Sequence, residues 1–294
     1  MIPQIVVTKN SMREHGEDPW QDNHVGRYES SMGQGDMKRF DISRAGALLL
    51  LFFSVESFSI ELIAHRANCC GQIENSLLAI TKAWEAGADA VEVDLRISSD
   101  GIIYLFHDAA LNGVDVSSYT YSEIAEIENS VTTLSTVLGV GAPSGYYILD
   151  LKENSVKFLE SLTETILNSN FPVKKIAFQS INIETLKAVK RMLPGAAYIL
   201  VSKLRRNFPW FIPPLSSNLA AVLQRNKIDH ISIKGRKFID KGFVNNLKAK
   251  GIRVFVWTVN DLERAEYYDD IGVDGIITDD ILGLRAMQPQ QASR

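Results

Sequence analysis

The chain has 294 residues, of which 46% are apolar and 22% charged, a composition typical of globular proteins and not of disordered ones. This length fits one large domain or two small ones. A net charge of -4 at pH 7 provides no basic surface, which argues against a nucleic-acid-binding protein. The two cysteines, Cys69 and Cys70, are adjacent, and adjacent cysteines rarely bridge because the geometry is strained, so we expect neither a disulfide framework nor a zinc site.

The first sixty residues consist of two segments of different character. Residues 1–36 are polar and lack a hydrophobic period, which predicts disorder. From Met37 onward, basic residues precede the apolar run 45–55 and small residues follow it, which is the layout of a secretory signal peptide. If Met37 is the true start, the protein is secreted or periplasmic. Otherwise residues 37–59 form a buried apolar helix and the protein is cytoplasmic.

From residue 60 onward, short apolar runs alternate with helical patterns, which predicts βα repeats and a parallel sheet. The strand candidates are Glu61–His65, Ala90–Leu95, Ile102–His107, Tyr146–Leu151, Lys175–Gln179, Ala197–Val201, His230–Ile233, Ile252–Trp257 and Val273–Thr278. The helix candidates are Asn75–Ala86, Val156–Leu167, Ile183–Met192, Asp240–Lys250 and Leu262–Tyr268. Nine strands exceed by one the eight that a (β/α)₈ TIM barrel requires.

The spacing between the second and third candidates identifies the strand that does not belong to the barrel. Only six residues separate Ala90–Leu95 from Ile102–His107, whereas a parallel crossover needs about a dozen. Asp100-Gly101 is a strong hairpin turn, and a two-residue turn there would place His107 opposite Asp94. We therefore predict a TIM barrel over residues 60–285, with a β-hairpin extension after the second strand and a C-terminal tail at 286–294.

Active sites of this fold lie at the carboxyl ends of the strands, and in this sequence several carboxylates stand at or near those ends. Glu92 and Asp94 are two residues apart on one strand and share a face. Together inside a barrel they would repel each other, and a divalent cation would remove that conflict. Asp150 would supply a third oxygen ligand, and such ligands suit magnesium, calcium or manganese. The alternative is a metal-free cluster that forms salt bridges with Arg66 and Lys152.

Two histidines and two cations end strands at the same predicted mouth. His65 and His107 could serve as general base and general acid. Arg66 and Lys152 could bind the non-bridging oxygens of a phosphate group. These residue types together point to phosphoryl chemistry.

The supporting residues are open to two interpretations. Glu74 and Asn75 would orient neighbouring polar groups, although Glu74 could equally place a negative charge at a helix N-terminus. Trp257 either lines the substrate pocket or packs in the core. The stretch Arg205–Pro214, rich in prolines and aromatic residues, predicts a long loop over one barrel end. It would form part of a substrate mouth or a membrane-facing lip, and the lip would give the protein a peripheral membrane contact.

Short blocks of this sequence, in this order, resemble the glycerophosphodiester phosphodiesterase family. The blocks are His65-Arg66 with Glu74-Asn75-Ser76, then Glu92-Val93-Asp94, His107-Asp108, Asp150-Leu151-Lys152, Val256-Trp257-Thr258-Val259-Asn260 and Gly275-Ile276-Ile277-Thr278-Asp279. The resemblance covers about residues 60–285. It implies metal-dependent hydrolysis of small-molecule glycerophosphodiesters, the deacylated skeletons of phospholipids, to glycerol 3-phosphate and an alcohol.

The same resemblance assigns roles to individual residues. It implies an acid/base pair at His65 and His107, and phosphate contacts at Arg66 and Lys152. It further implies metal ligands at Glu92 and Asp94, for one divalent ion, Mg²⁺ or Ca²⁺. The third ligand of the family is usually a glutamate, and Asp150 here is one methylene shorter.

Two other functions stay open from the sequence. One is a related barrel phosphodiesterase of the lysophospholipase D or sphingomyelinase D type, in which Phe208–Phe211 would contact acyl chains. The other is a non-catalytic barrel that binds glycerophosphodiesters. The presence of both His65 and His107 argues against this second function. The sequence makes no prediction of the alcohol group or the oligomeric state.

Overall fold

In the computed structural model, helices surround a closed barrel of eight parallel strands. The structure describes residues 60–202, 215–236 and 238–287. The predicted disordered segment 1–36, the signal peptide or helix at 37–59, the aromatic stretch Phe208–Phe211 and nearly all of the tail lie outside the described residues. No described helix combines the length and apolar character needed to cross a membrane.

The strands confirm the predicted (β/α)₈ TIM barrel. They are β1 (Glu61–Ala64), β2 (Ala90–Ile97), β3 (Ile103–Leu105), β4 (Ala110–Leu111), β5 (Val114–Asp115), β6 (Tyr146–Leu151), β7 (Ile176–Ser180), β8 (Ala197–Ser202), β9 (His230–Lys234), β10 (Arg253–Trp257) and β11 (Gly275–Thr278). The barrel order is β1-β2-β6-β7-β8-β9-β10-β11, and β11 pairs with β1 to close the ring. Outward-facing side chains pack under the helices in the main hydrophobic core.

Most of the helices begin directly after a polar residue whose side chain caps the first turn. They are α1 (Leu77–Glu85), α2 (Tyr121–Ile127), α3 (Leu134–Val140), α4 (Val156–Asn168), α5 (Ile183–Met192), α6 (Leu215–Arg225), α7 (Lys241–Lys248), α8 (Leu262–Asp270) and α9 (Ile281–Met287). Side chains that accept a hydrogen bond from the first turn include those of Ser76, Thr120, Thr133, Ser155, Asn182, Asp240 and Asp261. The sequence analysis did not predict α2, α3, α6 and α9, and three of these span only seven residues, too short for a clear helical period.

The strand β3 runs antiparallel to β2, but the predicted register is wrong by one residue. Asp94 stands opposite Phe106, whose backbone N–H donates to the Asp94 carbonyl at 3.0 Å, and not opposite His107. The turn contains three residues, Ser99–Gly101, instead of two. Gly101 ends it with φ +90°, the left-handed conformation that three-residue hairpin turns require.

The barrel interior is built from layers of four side chains that alternate strands contribute. The register defines five layers, counted from the amino ends of the strands. The first three contain Glu61, Tyr146, Ala197 and Arg253; Ala90, Ala177, His230 and Gly275; and Ile63, Ile148, Ile199 and Phe255. The fourth layer contains Glu92, Gln179, Ser232 and Ile277, and the fifth contains His65, Asp150, Val201 and Trp257. We call the fourth set the floor layer and the fifth the mouth layer. An apolar layer therefore separates the polar mouth from the opposite end of the barrel.

Candidate active site

Three buried carboxylates meet at the mouth, where the sequence predicts metal ligands. Glu92 and Asp94 project inward from β2, and Asp150 stands opposite Asp94 on β6. One oxygen of each lies within 4.8 Å of the others, and the three residues are only 2%, 1% and 8% exposed. The structure thus brings together the three carboxylates that the sequence singled out.

The electrostatics of this cluster show an excess of negative charge. Burial and the neighbouring Asp94 raise the pKa of Glu92 to about 8. Burial also raises the pKa of Asp150. For Asp94, burial acts in the same direction, but Lys152 outweighs it and lowers the pKa. The Lys152 ammonium lies 2.7 Å from Asp94 Oδ1 and 2.5 Å from Asp150 Oδ2, so it pairs with two of the three carboxylates and not with Glu92.

The excess of negative charge at the mouth allows us to ask whether the three carboxylates fit a metal ion. The donor set consists of carboxylate oxygens, the ligands that Mg²⁺ and Ca²⁺ prefer. Without a further cation, burial and the neighbouring Asp94 raise the pKa of Glu92 and so favour its protonated form. A divalent ion would remove that preference by supplying the missing positive charge. The residues present therefore fit the ion, and Glu92, Asp94 and Asp150 could hold it.

The loop between β1 and α1 fixes the orientation of Asp94. The Asn75 side chain donates to Asp94 Oδ2 at 2.8 Å, and its oxygen accepts from the Asp94 backbone N–H at 2.9 Å. Arg66 lies 3.0 Å from Glu74 Oε1 and 3.6 Å from Asp94 Oδ2, and its backbone N–H donates to Glu92 Oε2 at 2.7 Å. Glu74 therefore pairs with Arg66, while Ser76 caps α1.

The first histidine is held by a residue that the sequence analysis did not select as a site residue. His65 Nδ1 donates to Asp279 Oδ1 at 2.8 Å, and Asn260 donates to Asp279 Oδ2 at 2.8 Å. Burial opposes protonation of His65, but Asp279 outweighs it and raises the pKa of the imidazole. The signal for this residue was its position directly after the last strand, inside the block that ends in Thr278-Asp279.

The second histidine follows the hairpin strand β3 and lies at the same mouth. His107 Nδ1 is 2.8 Å from Asp108 Oδ1, and its side chain is 34% exposed. Arg96 donates to the His107 carbonyl at 2.7 Å, which fixes the backbone there. The imidazole interacts electrostatically with both Asp94 and Asp150 and there opposes the effect of burial on their pKa values, so it lies close to the carboxylate cluster.

The opposite wall of the mouth carries Trp257 from β10. The indole belongs to the mouth layer and is only partly buried. Its Nε1 has no hydrogen-bond partner among the residues that the structure describes. The Lys234 ammonium lies 6.0 Å from the centre of the ring. Lining of the substrate pocket by Trp257 stays a prediction.

The expectation that the adjacent cysteines stay unbridged is wrong in this structure. Cys69 and Cys70 are joined by a disulfide bond in the loop between Arg66 and Asn75. Cys69 is buried in the main hydrophobic core, with its sulfur 3.9 Å from the Lys82 carbonyl of α1, whereas Cys70 is exposed. The bridge therefore lies in the loop that carries Arg66 and Asn75 to the mouth.

A cavity of about 170 Å³ opens at the other end of the barrel, bounded in part by Tyr146, His230, Arg253 and Phe255. Two of its polar groups are already paired, because Glu61 accepts from Arg253 at 2.8 Å and from the Tyr146 hydroxyl at 2.7 Å. Histidines and carboxylates of the kind that phosphodiester chemistry requires gather at the mouth, so we place the candidate active site there.

Known proteins resemble this chain over the same region. A glycerophosphodiester phosphodiesterase of Caldanaerobacter subterraneus subsp. tengcongensis is 27% identical over 238 residues, which covers 74% of this chain and 93% of the relative. A lysophospholipase D of Rattus norvegicus is 24% identical, with 74% and 82% of the two chains covered. A crystallised Oleispira antarctica phosphodiesterase, in complex with its product sn-glycerol-3-phosphate, superposes with a TM-score of 0.65 at 23% identity, covering 78% of this chain and 96% of that one.

The family comparison agrees with the site. The model of the glycerophosphoryl diester phosphodiesterase family matches residues 65–282, a span that begins at His65 and includes Asp279. The carboxylate cluster, both histidines and every barrel strand except β1 lie within that span. The chain therefore belongs to the glycerophosphoryl diester phosphodiesterase family, whose members are phosphoric diester hydrolases.

Proposed function

We propose that the protein hydrolyses glycerophosphodiesters to glycerol 3-phosphate and an alcohol, with one bound Mg²⁺ or Ca²⁺ ion. The observation that carries the proposal is the convergence of three buried carboxylates with two histidines at one barrel mouth. The product complex of the Oleispira antarctica relative supports glycerophosphodiesters as the substrate class. A non-catalytic barrel would not need an imidazole held by a carboxylate, as His65 is by Asp279.

The ion would be held by Glu92, Asp94 and Asp150, and when bound it supplies positive charge that offsets the charge of the phosphate oxygens. Lys152 and Arg66 would bind the non-bridging oxygens, since both lie at the edge of the same cluster. Their guanidinium and ammonium groups would keep the phosphorus electrophilic by withdrawing charge from those oxygens.

The two histidines divide the proton transfers. His65 Nδ1 is engaged by Asp279, so Nε2 is the atom that would take a proton from the attacking oxygen. His107 would give a proton to the departing alcohol oxygen, which otherwise leaves as a poor alkoxide. Trp257 would line the pocket for the substrate, while Glu74 and Asn75 keep Arg66 and Asp94 in place.

The test is release of glycerol 3-phosphate from a panel of glycerophosphodiesters, measured with chelator, with Mg²⁺ and with Ca²⁺. We expect release that chelation abolishes and one of the two ions restores. No release from any diester in any metal condition would contradict the proposal. Release that persists in excess chelator would contradict its metal requirement.

A second candidate is hydrolysis of intact lipids, favoured by the lysophospholipase D relative and by apolar side chains around the mouth. Ile73, Ile181 and Leu282 lie on loops or helix starts at that end of the barrel and are 58%, 60% and 51% exposed. They would suit contact with acyl chains or with a membrane surface. Comparing glycerophosphocholine with lysophosphatidylcholine separates the two, since preference for the lipid would favour this candidate.

A further inference from the structure

The floor layer directly below the candidate metal site is unusually polar for the inside of a barrel. Three of its four side chains, Glu92, Gln179 and Ser232, carry polar groups. Gln179 is 5% exposed and Ser232 is fully buried. Their strand neighbours Phe178 and Ile233 belong to the core beneath the helices, so Gln179 and Ser232 point into the barrel.

One atom of each of these side chains lacks a partner within the described barrel. Gln179 Oε1 and Ser232 Oγ have no hydrogen-bond partner in the part of the chain that the structure describes. Buried polar groups are nearly always paired, so unpaired ones at a candidate site point to a ligand that completes them. The layer below contains only Ile63, Ile148, Ile199 and Phe255, so the partner must enter from the mouth.

The position of these groups ties them to the candidate active site. Gln179 on β7 pairs in register with Asp150 on β6, one of the three clustered carboxylates. Trp257 Nε1 in the mouth layer above is a third buried polar atom that lacks a partner among the described residues. These three atoms lie on β7, β9 and β10, whereas Arg66 Nε, which also lacks a hydrogen bond within the described chain but lies 3.6 Å from Asp94 Oδ2, is on the side of β1 and β2.

The chemistry of the three atoms restricts the ligand. A carboxamide oxygen only accepts, an indole N–H only donates, and a hydroxyl does both. Ionised phosphate oxygens only accept, while a quaternary ammonium group or an acyl chain offers neither function. An alcohol hydroxyl both donates and accepts, so it satisfies Gln179 in either orientation of its carboxamide, and Ser232 as well.

We propose that Gln179 and Ser232 are specificity-determining residues that bond the free hydroxyl groups of the glycerol moiety at the floor layer. This inference rests on the proposed function and specifies how that site selects its substrate. A diester whose retained alcohol lacks free hydroxyls would leave both groups unpaired in a water-excluded pocket. Sites built to hydrogen-bond a hydroxyl discriminate strongly against analogues that lack it.

The test compares glycerophosphocholine with propylphosphocholine, which share the same leaving group and can both be followed by choline release. The wild-type kcat/KM should favour glycerophosphocholine by about tenfold to a hundredfold, as expected when a buried polar group loses its partner. Gln179→Met and Ser232→Ala should each bring that ratio toward one by lowering the rate with glycerophosphocholine alone. Thr185→Val is the matched control, because the Thr185 hydroxyl is also buried without a described partner but lies on α5, and it should leave the ratio unchanged.

Two further measurements test whether Gln179 affects substrate selection directly, and not through the stability of the fold or the rate of turnover. The melting temperature of Gln179→Met without ligand should not fall, because the substitution removes an unpaired polar group. In the wild type, glycerol 3-phosphate should raise the melting temperature more than propyl phosphate does, and Gln179→Met should remove the difference.

The possible outcomes bear differently on the two proposals. If the wild type releases no choline but still distinguishes the two phosphates through Gln179, the hydrolytic function fails and the floor-layer assignment stands. Equal wild-type kcat/KM values for the two diesters would overturn the assignment. Equal losses on both substrates in Gln179→Met, or a lowered melting temperature, would also overturn it and indicate a structural role.

Discussion

The hydrogen bond between His65 and Asp279 allows a sharp test of the proposal that His65 acts as the general base. Asp279→Asn keeps the shape of the side chain but removes the charge that Nδ1 of His65 faces at 2.8 Å. A charge-assisted hydrogen bond of this kind contributes about 1.5–3 kcal/mol. At roughly 1.4 kcal/mol per tenfold in rate, its loss should lower kcat/KM by about 10- to 100-fold.

The same substitution should shift the pH profile in a predictable direction. Asp279 raises the pKa of His65, so removing its charge should lower that pKa. A base acts in its neutral form, so the acid limb of the kcat/KM profile should move to lower pH. The matched control is Asp280→Asn, since Asp280 bonds the Gly283 N–H at 2.9 Å and takes no part in the contact with His65. The reasoning is refuted if the two variants retain the same activity, or if the acid limb of Asp279→Asn stays in place.

The remaining predictions concern the proposed metal ligands, the second histidine and the N-terminus. Asp94→Asn should abolish metal binding measured by calorimetry, because it deletes a ligand charge; unchanged affinity would exclude Asp94 as a ligand. Asp150→Glu should keep or tighten metal binding, whereas Asp150→Ala should weaken it severely, and wild-type affinity in the alanine variant would exclude Asp150. A general acid contributes ~10²–10⁴-fold when the leaving group is poor, so His107→Ala should lose far more activity on glycerophosphodiesters than on a nitrophenyl diester. His65→Ala should lose activity by a similar factor on both substrates. Equal losses for both variants on both substrates would refute this division of roles. Expressed from Met37, the chain should be exported and processed near residue 60, and an intact N-terminus on exported protein would exclude a signal peptide.

Much of the fold was predictable because its signals are local. Each apolar run of a parallel barrel strand stands between helical patterns, and the distance from Ala90–Leu95 to Ile102–His107 was too short for a parallel crossover. Removing that hairpin return left the eight strands that the structure confirms. The carboxylates Glu92, Asp94 and Asp150 were visible as isolated acids at strand ends, where the fold brings such residues together.

Other features depend on geometry that the local sequence does not encode. The hairpin register was wrong because Asp100-Gly101 is compatible with two-residue and three-residue turns, and the choice moves His107 by one position. Gln179 and Ser232 were missed because one polar residue in an apolar strand does not reveal its layer until the register around the whole ring is known. The disulfide between Cys69 and Cys70 was not expected from adjacency.

Closure of the barrel brings the two ends of the described chain together, and it can occur only after the last strand has been synthesised. β1 pairs with β2 over only two residues but with β11 over four, and His65 meets a carboxylate 214 positions further along the chain. During synthesis, β11 is the last barrel strand to leave the ribosome. A shortened product that ends before it would contain Glu92, Asp94, Asp150 and both histidines, yet it could neither close the ring nor hold His65. Acquisition of activity is therefore coupled to completion of the barrel.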